Sequence, residues 1–282
     1  MLEISDICDH RGSKRAGWAF WIYCPIGIVV LLVRLLVIVL FAAVSALIPG
    51  EWRRFTFPVL RRLLGIRVRL NRNPREIEQL IQRKVVAVNH VSLIDYWVAP
   101  EIGWPIVLSG TALRKENSLD PFVFRTIELL SGVRFLPTRD KRGAAALFER
   151  WRNHAEKTCL YVPAEMTINN GRGLFRFNPT MLCRGTSVVP MALKVTTSLG
   201  LVAHPLRAGG LATMLRLLMI PCVRFDVAYL PAQARQPEEE RQEFADRIQH
   251  LIAEHLGVPA TTFTVEDKRA YRQSLMKPRV PS

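Results

Sequence analysis

The longest apolar block of the chain runs from Trp18 to Ile48, and Arg34 is its single charged residue. It exceeds the ~20 residues that cross a bilayer once as a helix. Arg34 sits near its centre, where a charge is expensive in hydrocarbon, and Pro25 lacks the N–H that a continuous helix uses. These features favour a hairpin dipping into one leaflet over one straight span through 18–48. Arg11, Lys14 and Arg15 before the block and Arg53, Arg54, Arg61 and Arg62 after it keep both ends on the cytosolic side. A buried core helix is the competing reading. A cleavable signal peptide fits poorly, because the block is too long and follows a polar, basic leader over residues 1–17.

Beyond residue 53 the apolar runs shorten. "KVVAVNH" (84–90), Val107 to Ser109, "GVRFLPTRD" (132–140), "TCLYVPAE" (158–165), "TSVVPMALKV" (186–195) and the alternating "VRFDVAYLP" (223–231) read as strands. Helical spacing predicts helices over Pro121–Leu130, Ala144–Glu156 and Pro237–Leu256, the last stopped by Gly257 and Pro259. Leu211–Val223 reads as a membrane-facing or core helix, broken at Pro221. Strands interleaved with helices indicate an α/β or α+β sheet rather than a sandwich.

Charge narrows the partners. A formal net charge of +15 over 282 residues draws the protein to polyanions: nucleic acid, an anionic membrane or a phosphorylated substrate. The basic residues are dispersed and form no recognition helix, zinc finger or aromatic RNA-binding motif, so no nucleic acid is expected. Cys8, Cys24, Cys159, Cys183 and Cys222 make no C-x-x-C pair and no spacing with histidine. They read as free thiols in a reducing compartment, and no metal site is expected. His10, His154, His204, His250 and His255 read as surface or helix residues.

Two polar clusters follow strand ends. In "AVNHVSLIDYW" His90 and Asp95 are five residues apart. On one regular helix they would lie roughly 140° apart around the axis and could not touch. A strand ending at His90 and a helix starting near Asp95, capped by Ser92, lets the carboxylate orient the imidazole and leaves the other ring nitrogen as a base. A structural histidine at a strand end accounts for the same residues. In "YVPAEMTINNGRGLFRF" Glu165 and Thr167 precede a turn at Asn169, Asn170, Gly171 and Arg172. The two loops are expected to converge on one cleft.

Four blocks in order, "NHVSLID", "FLPTRD", "PAEMTINNGR" and "VVPMAL", resemble those of the glycerolipid acyltransferases, over roughly Arg53 to Ser274. "HLGVPATTFTVEDK" is similar to the lysophosphatidylcholine acyltransferase branch. "YCPIGIVVLLVRLL", "NNGRGLFRF" and "LMIPCVRFDVAYL" resemble the ancient ubiquitous protein 1 branch, found at lipid droplets and the endoplasmic reticulum. The resemblance implies an α/β, glycerolipid acyltransferase-like mixed sheet flanked by helices over 53–274, followed by a tail at 275–282, in which His90 is the general base and Asp95 its orienting carboxylate. It further implies that Arg139 holds acceptor phosphate, that Glu165 and Thr167 belong to an acceptor-binding loop, that Arg172 is substrate-binding, and that Pro190 is structural. Acyl-CoA enters as co-substrate, with no cofactor; the acceptor is a lysophospholipid or glycerol-phosphate hydroxyl; anionic membrane lipid is the partner surface. The implied location is endoplasmic reticulum and lipid droplet, with the catalytic domain cytosolic. One position departs from the family's E-G-T block: Met166 stands where the glycine is. It is expected to narrow the acceptor site or distort the loop, and it is what favours the alternative, a membrane-inserted scaffold of the ancient ubiquitous protein 1 kind.

Overall fold

The computed structural model describes residues 2–8, 14–47, 53–102, 106–109, 120–131, 133–137, 151, 159–183, 187–206 and 210–276. In chain order the elements are α1 (Ile4–Cys8), α2 (Lys14–Leu47), α3 (Arg53–Leu63), β1 (Ile66–Leu70), α4 (Pro74–Ile81), β2 (Val85–Val88), a 3-10 helix (Asp95–Ile102), β3 (Ile106–Ser109), α5 (Asp120–Ser131) and β4 (Arg134–Pro137). After them come β5 (Leu160–Pro163), α6 (Pro179–Leu182), β6 (Val188–Thr197), α7 (Gly210–Met219), β7 (Val223–Tyr229), α8 (Arg241–Leu256) and α9 (Val265–Met276). The helix expected over Ala144–Glu156 lies outside the described residues, apart from Trp151.

The strands form one mixed sheet in the order β1-β7-β6-β2-β5-β3-β4. Only β6 and β7 run antiparallel to one another; the other pairs are parallel. All four residues of β2 are buried, as a strand covered on both faces requires. Val85 and Ala87 turn to one side, where Phe244, Ile248 and Ile252 of α8 cover them. Val86 and Val88 turn to the other, against Phe57 and Leu60 of α3 and Leu217 and Leu218 of α7. Helix α8 starts at a reciprocal capping box between Glu240 and Glu243 and ends at Gly257, whose φ of 65° no β-carbon hinders.

The block expected as a hairpin or span at 18–48 forms one helix, α2, of 34 residues with Pro25 inside it. The physical reason is that neither feature taken for a break acts as one. Pro25 removes a single ladder hydrogen bond, and nothing else in this block stops a helix. Arg34 is buried at 7% exposure by protein rather than by lipid. Its guanidinium donates to the carbonyls of Leu218 (2.8 Å), Ile220 (2.7 Å) and Pro221 (2.8 Å), which stand unpaired where α7 ends. Gly65 makes room for this contact: with φ +75°, an added Cβ would lie 2.1 Å from Arg34 Nη2 and 2.4 Å from the Pro221 carbonyl.

One side of α2, from Phe20 to Ala42, packs on the core. Its other side, including Trp18, Trp21, Ile22, Ile26, Leu32 and Val39, is exposed. Helix α3 adds exposed Phe55, Val59 and Leu63 at helical spacing. An apolar surface of this extent on a basic protein fits membrane association.

Candidate active site

Both loops named from the sequence lie beyond the carboxyl ends of neighbouring parallel strands, β2 and β5, whose paired residues end at Val88 and Pro163. At the first, the chain leaves β2 through Asn89 and turns back so that His90 Nδ1 lies 2.9 Å from Asp95 Oδ2. The same oxygen accepts the backbone N–H groups of Val91 (2.7 Å) and Ser92 (3.0 Å). Asp95 is 2% exposed, and the His90 side chain 21%. The buried carboxylate therefore fixes both the turn and the ring. Ser92 acts differently from the expected helix cap. Its Oγ accepts from Ile94 N at 3.3 Å inside the turn, and the helix beginning at Asp95 is 3-10 rather than α.

The second loop is bolted to the first by Glu165. Its carboxylate is 1% exposed and accepts the backbone N–H of His90 (2.8 Å), the N–H of Phe175 (2.8 Å) and both N–H groups' worth of contact from Asn169 Nδ2 (2.7 and 2.9 Å). The Asn169 N–H donates in turn to the His90 carbonyl at 2.7 Å. Burial pushes Glu165 up to about 8, against the hydrogen bonds from Asn169, His90 and Phe175 and the charge of Lys268, which pull it down. Enclosed this way, Glu165 ties the loop expected to bind the acceptor to the backbone of His90.

Met166 adopts φ 55°, the left-handed region in which a glycine is at ease, and leaves its side chain 46% exposed. The loop keeps the glycine-like backbone at a local cost of about 1–2 kcal/mol. Thr167 is half-buried on the same loop and Arg172 is exposed beyond it, its N–H donating to Asn170 Oδ1 at 3.0 Å. Arg139 lies outside the described residues. Pro190 sits in β6 opposite Ala87, where its carbonyl accepts from Leu230 N.

Four contributors have little or no signal in the sequence. Asn89 uses its side-chain amide to pair with both the N–H (2.8 Å) and the C=O (2.9 Å) of Leu193, extending the β2–β6 ladder by one step. Lys268 of α9 donates to the Ile168 carbonyl and lies 5.6 Å from the centre of the Phe175 ring. Helix α1 supports the loop from outside. Asn170 donates from its N–H to the Ile7 carbonyl (3.1 Å) and from Nδ2 to the Asp6 carbonyl (2.8 Å), while Ile7, Cys8, Phe175 and Leu206 form a small core with Tyr271 and Leu275 of α9. His204, expected at the surface or on a helix, is instead half-buried in the segment after β6, and its Nδ1 has no partner among the described residues. Burial first, then the charges of Lys268, His90, Arg216 and Arg272, bring it down to about 3. His204 is neutral at physiological pH.

A mixed sheet carrying a histidine–aspartate pair at a strand end resembles the glycerolipid acyltransferases. Comparison with known proteins agrees. The chain is 27% identical over 257 residues to the lipid droplet-regulating VLDL assembly factor AUP1 of Xenopus laevis, covering 89% of this chain and 60% of that protein. It is 28% identical over 206 residues to the human lysophospholipid acyltransferase LPCAT4, covering 70% of this chain and 37% of that one. Among solved structures, the 1-acyl-sn-glycerophosphate acyltransferase PlsC of Thermotoga maritima shares the fold with TM-score 0.56 and 12% identity, over 83% of this chain and 96% of that chain. No family model matches. The chain is similar to AUP1 and to the lysophosphatidylcholine acyltransferases, and spans about 60% of the length of AUP1.

Proposed function

We propose that the protein is a membrane-bound acyltransferase that moves a fatty acyl group from acyl-CoA to a hydroxyl of a lysophospholipid or glycerol phosphate. The observation that carries this reading is the 2.9 Å contact between His90 Nδ1 and a buried Asp95 that is also held by two backbone N–H groups. The carboxylate sets the tautomer, so Nε2 is the proton acceptor. Nε2 takes the acceptor's hydroxyl proton as the oxygen attacks the thioester carbonyl. The tetrahedral intermediate collapses, the C–S bond breaks, and the leaving thiolate takes the proton from the imidazolium. Glu165 positions His90 through its backbone, while Thr167, Arg172 and Arg139 serve the acceptor, the guanidinium groups being suited to phosphate.

The exposed face of α2, with Phe55, Val59 and Leu63, would lie in the membrane interface of the endoplasmic reticulum or a lipid droplet, the catalytic domain being cytosolic. The packing of α2 along the domain from Phe20 to Ala42 favours insertion into one leaflet. Resemblance to AUP1 over 89% of the chain favours a second reading, a scaffold that organises lipid droplets without chemistry. Transfer of labelled acyl chains from acyl-CoA to a panel of lysophospholipids, by the protein and its His90→Ala variant in membranes, separates the two. Activity lost in the variant supports the enzyme; none in either, from folded membrane-bound protein, supports the scaffold.

A further inference from the structure

Strand β6 outruns its neighbour. β2 pairs with Val188 to Met191 only, whereas β6 continues to Thr197 against β7. Backbone groups of a strand alternate between its two edges. Val188 and Pro190 pair on the β7 side, with Gln233 and Leu230, and Leu193 pairs on the β2 side, with the Asn89 side chain. The next residue on that edge is Val195. No described residue pairs with its N–H or C=O, and it lines a cavity of about 340 Å³ together with Asn89, Val91, Leu174, Leu201 and Val258.

This opening is short and bounded. Asn89 closes one end, and at the other the chain turns over, with Gly200 N donating to the Thr197 carbonyl at 3.1 Å. One open N–H/C=O pair is too little for a peptide strand, which secures itself through several. It matches a flexible apolar chain that carries two amides, which is what the pantetheine arm of coenzyme A is. The edge also begins beside the base. Asn89 is covalently next to His90, about 3.8 Å between Cα atoms, and Val195 is two residues past Leu193, roughly 7 Å along the strand. Lys194, at the margin, also lines a second cavity of about 340 Å³ that holds Arg69 and His255 together with Asp226. In the order β1-β7-β6 these cations stand across the sheet face beside the seat, with Lys194 and Leu256 shared by the two cavities.

We propose that the open edge of β6 at Val195 seats the pantetheine arm of the acyl-CoA donor, with its phosphates toward Lys194 and Arg69. This rests on the acyltransferase reading. Val195 N–H would donate to one amide carbonyl and Val195 C=O would accept from the other amide N–H.

The test uses Val195→Pro, which deletes the open N–H without touching the ladder to β7. Loss of one neutral hydrogen bond is expected to raise KM for acyl-CoA roughly 3–10-fold, more than KM for an acyl thioester of mercaptoethanol, which has no amides. An equal rise for both donors, or none, overturns the proposal. Amide hydrogen exchange on the unsubstituted protein reads the same contact without turnover and without a variant that has to fold. Free coenzyme A should slow exchange at Lys194–Thr197. Coenzyme A that binds and protects only other segments overturns the seat and leaves the acyltransferase reading standing. Neither binding of coenzyme A nor acyl transfer overturns both.

Discussion

Glu165 accepts the backbone N–H of His90 at 2.8 Å while being 1% exposed, so the position of the candidate base depends on a buried carboxyl group. Glu165→Gln keeps the size but turns an N–H₂ toward a set of N–H donors. A loss of roughly 1–3 kcal/mol of stability is expected from the donors left unpaired. Acyl transfer should fall mainly in kcat, with KM for the acceptor little changed. Denaturant unfolding and steady-state kinetics check the two parts.

The pH dependence of stability follows from two neighbours of opposite sign. Glu165 is held at about 8 in the folded chain against 4.5 ordinarily. The native state therefore keeps a proton that the unfolded state loses, and stability falls as pH rises between those values, by up to about 1.4 kcal/mol per unit. His204 is held at about 3 against 6.5, so the unfolded state takes a proton that the native state refuses, and stability falls as pH drops from 6.5 to 3. The two slopes oppose each other between pH 4.5 and 6.5. His204→Asn should remove the acid-side loss, so that the difference between variant and unsubstituted protein grows as pH falls through that window. Unfolding midpoints across pH 4–8 measure it.

Met166→Gly is expected to stabilise the chain by up to about 1 kcal/mol. The gain from relieving a side chain at φ 55° exceeds the extra entropy that glycine loses on folding. Thermal unfolding gives the sign, and a fall in melting temperature would show that the exposed methionine makes a contact worth more than the strain.

Ile7→Ala should loosen the loop that Glu165 anchors, because Ile7 is fully buried and its carbonyl accepts from Asn170. The cavity costs about 2–5 kcal/mol locally. Hydrogen exchange at 169–175 should quicken, with exchange in β6 unchanged. Gly173→Ala tests the same joint from the other side, since an added Cβ would stand 2.6 Å from Ile7 Cγ2.

Much of the fold was legible where one periodicity dominated. The run at Val85–Val88, the alternation at Val223–Tyr229 and the stop at Gly257 each name their element locally. Strand β1 and helices α3, α4 and α9 were not legible, because arginines interrupt their apolar positions. "IRVRL" becomes a strand only when β7 pairs with it along its whole length. The His90–Asp95 pair was readable because a break in the chain was required for contact. Glu165 was visible as a site residue, but its direction was not, since burial of its carboxyl group depends on donors from His90, Asn169 and Phe175. Asn89, His204 and Ile7 gave no usable signal: each acts through a partner distant in sequence. The expected hairpin in α2 failed for the same reason, the carbonyls that receive Arg34 being 184 to 187 positions away.

That separation also sets an order of events during synthesis. α2 leaves the ribosome first, with a guanidinium in its middle, and at about 5–20 residues per second the carbonyls of Leu218 to Pro221 follow roughly 10–40 s later. Until then Arg34 must stay hydrated or be held by a chaperone. The seat of α2 against the domain is complete only after α7 has been made and folded against it.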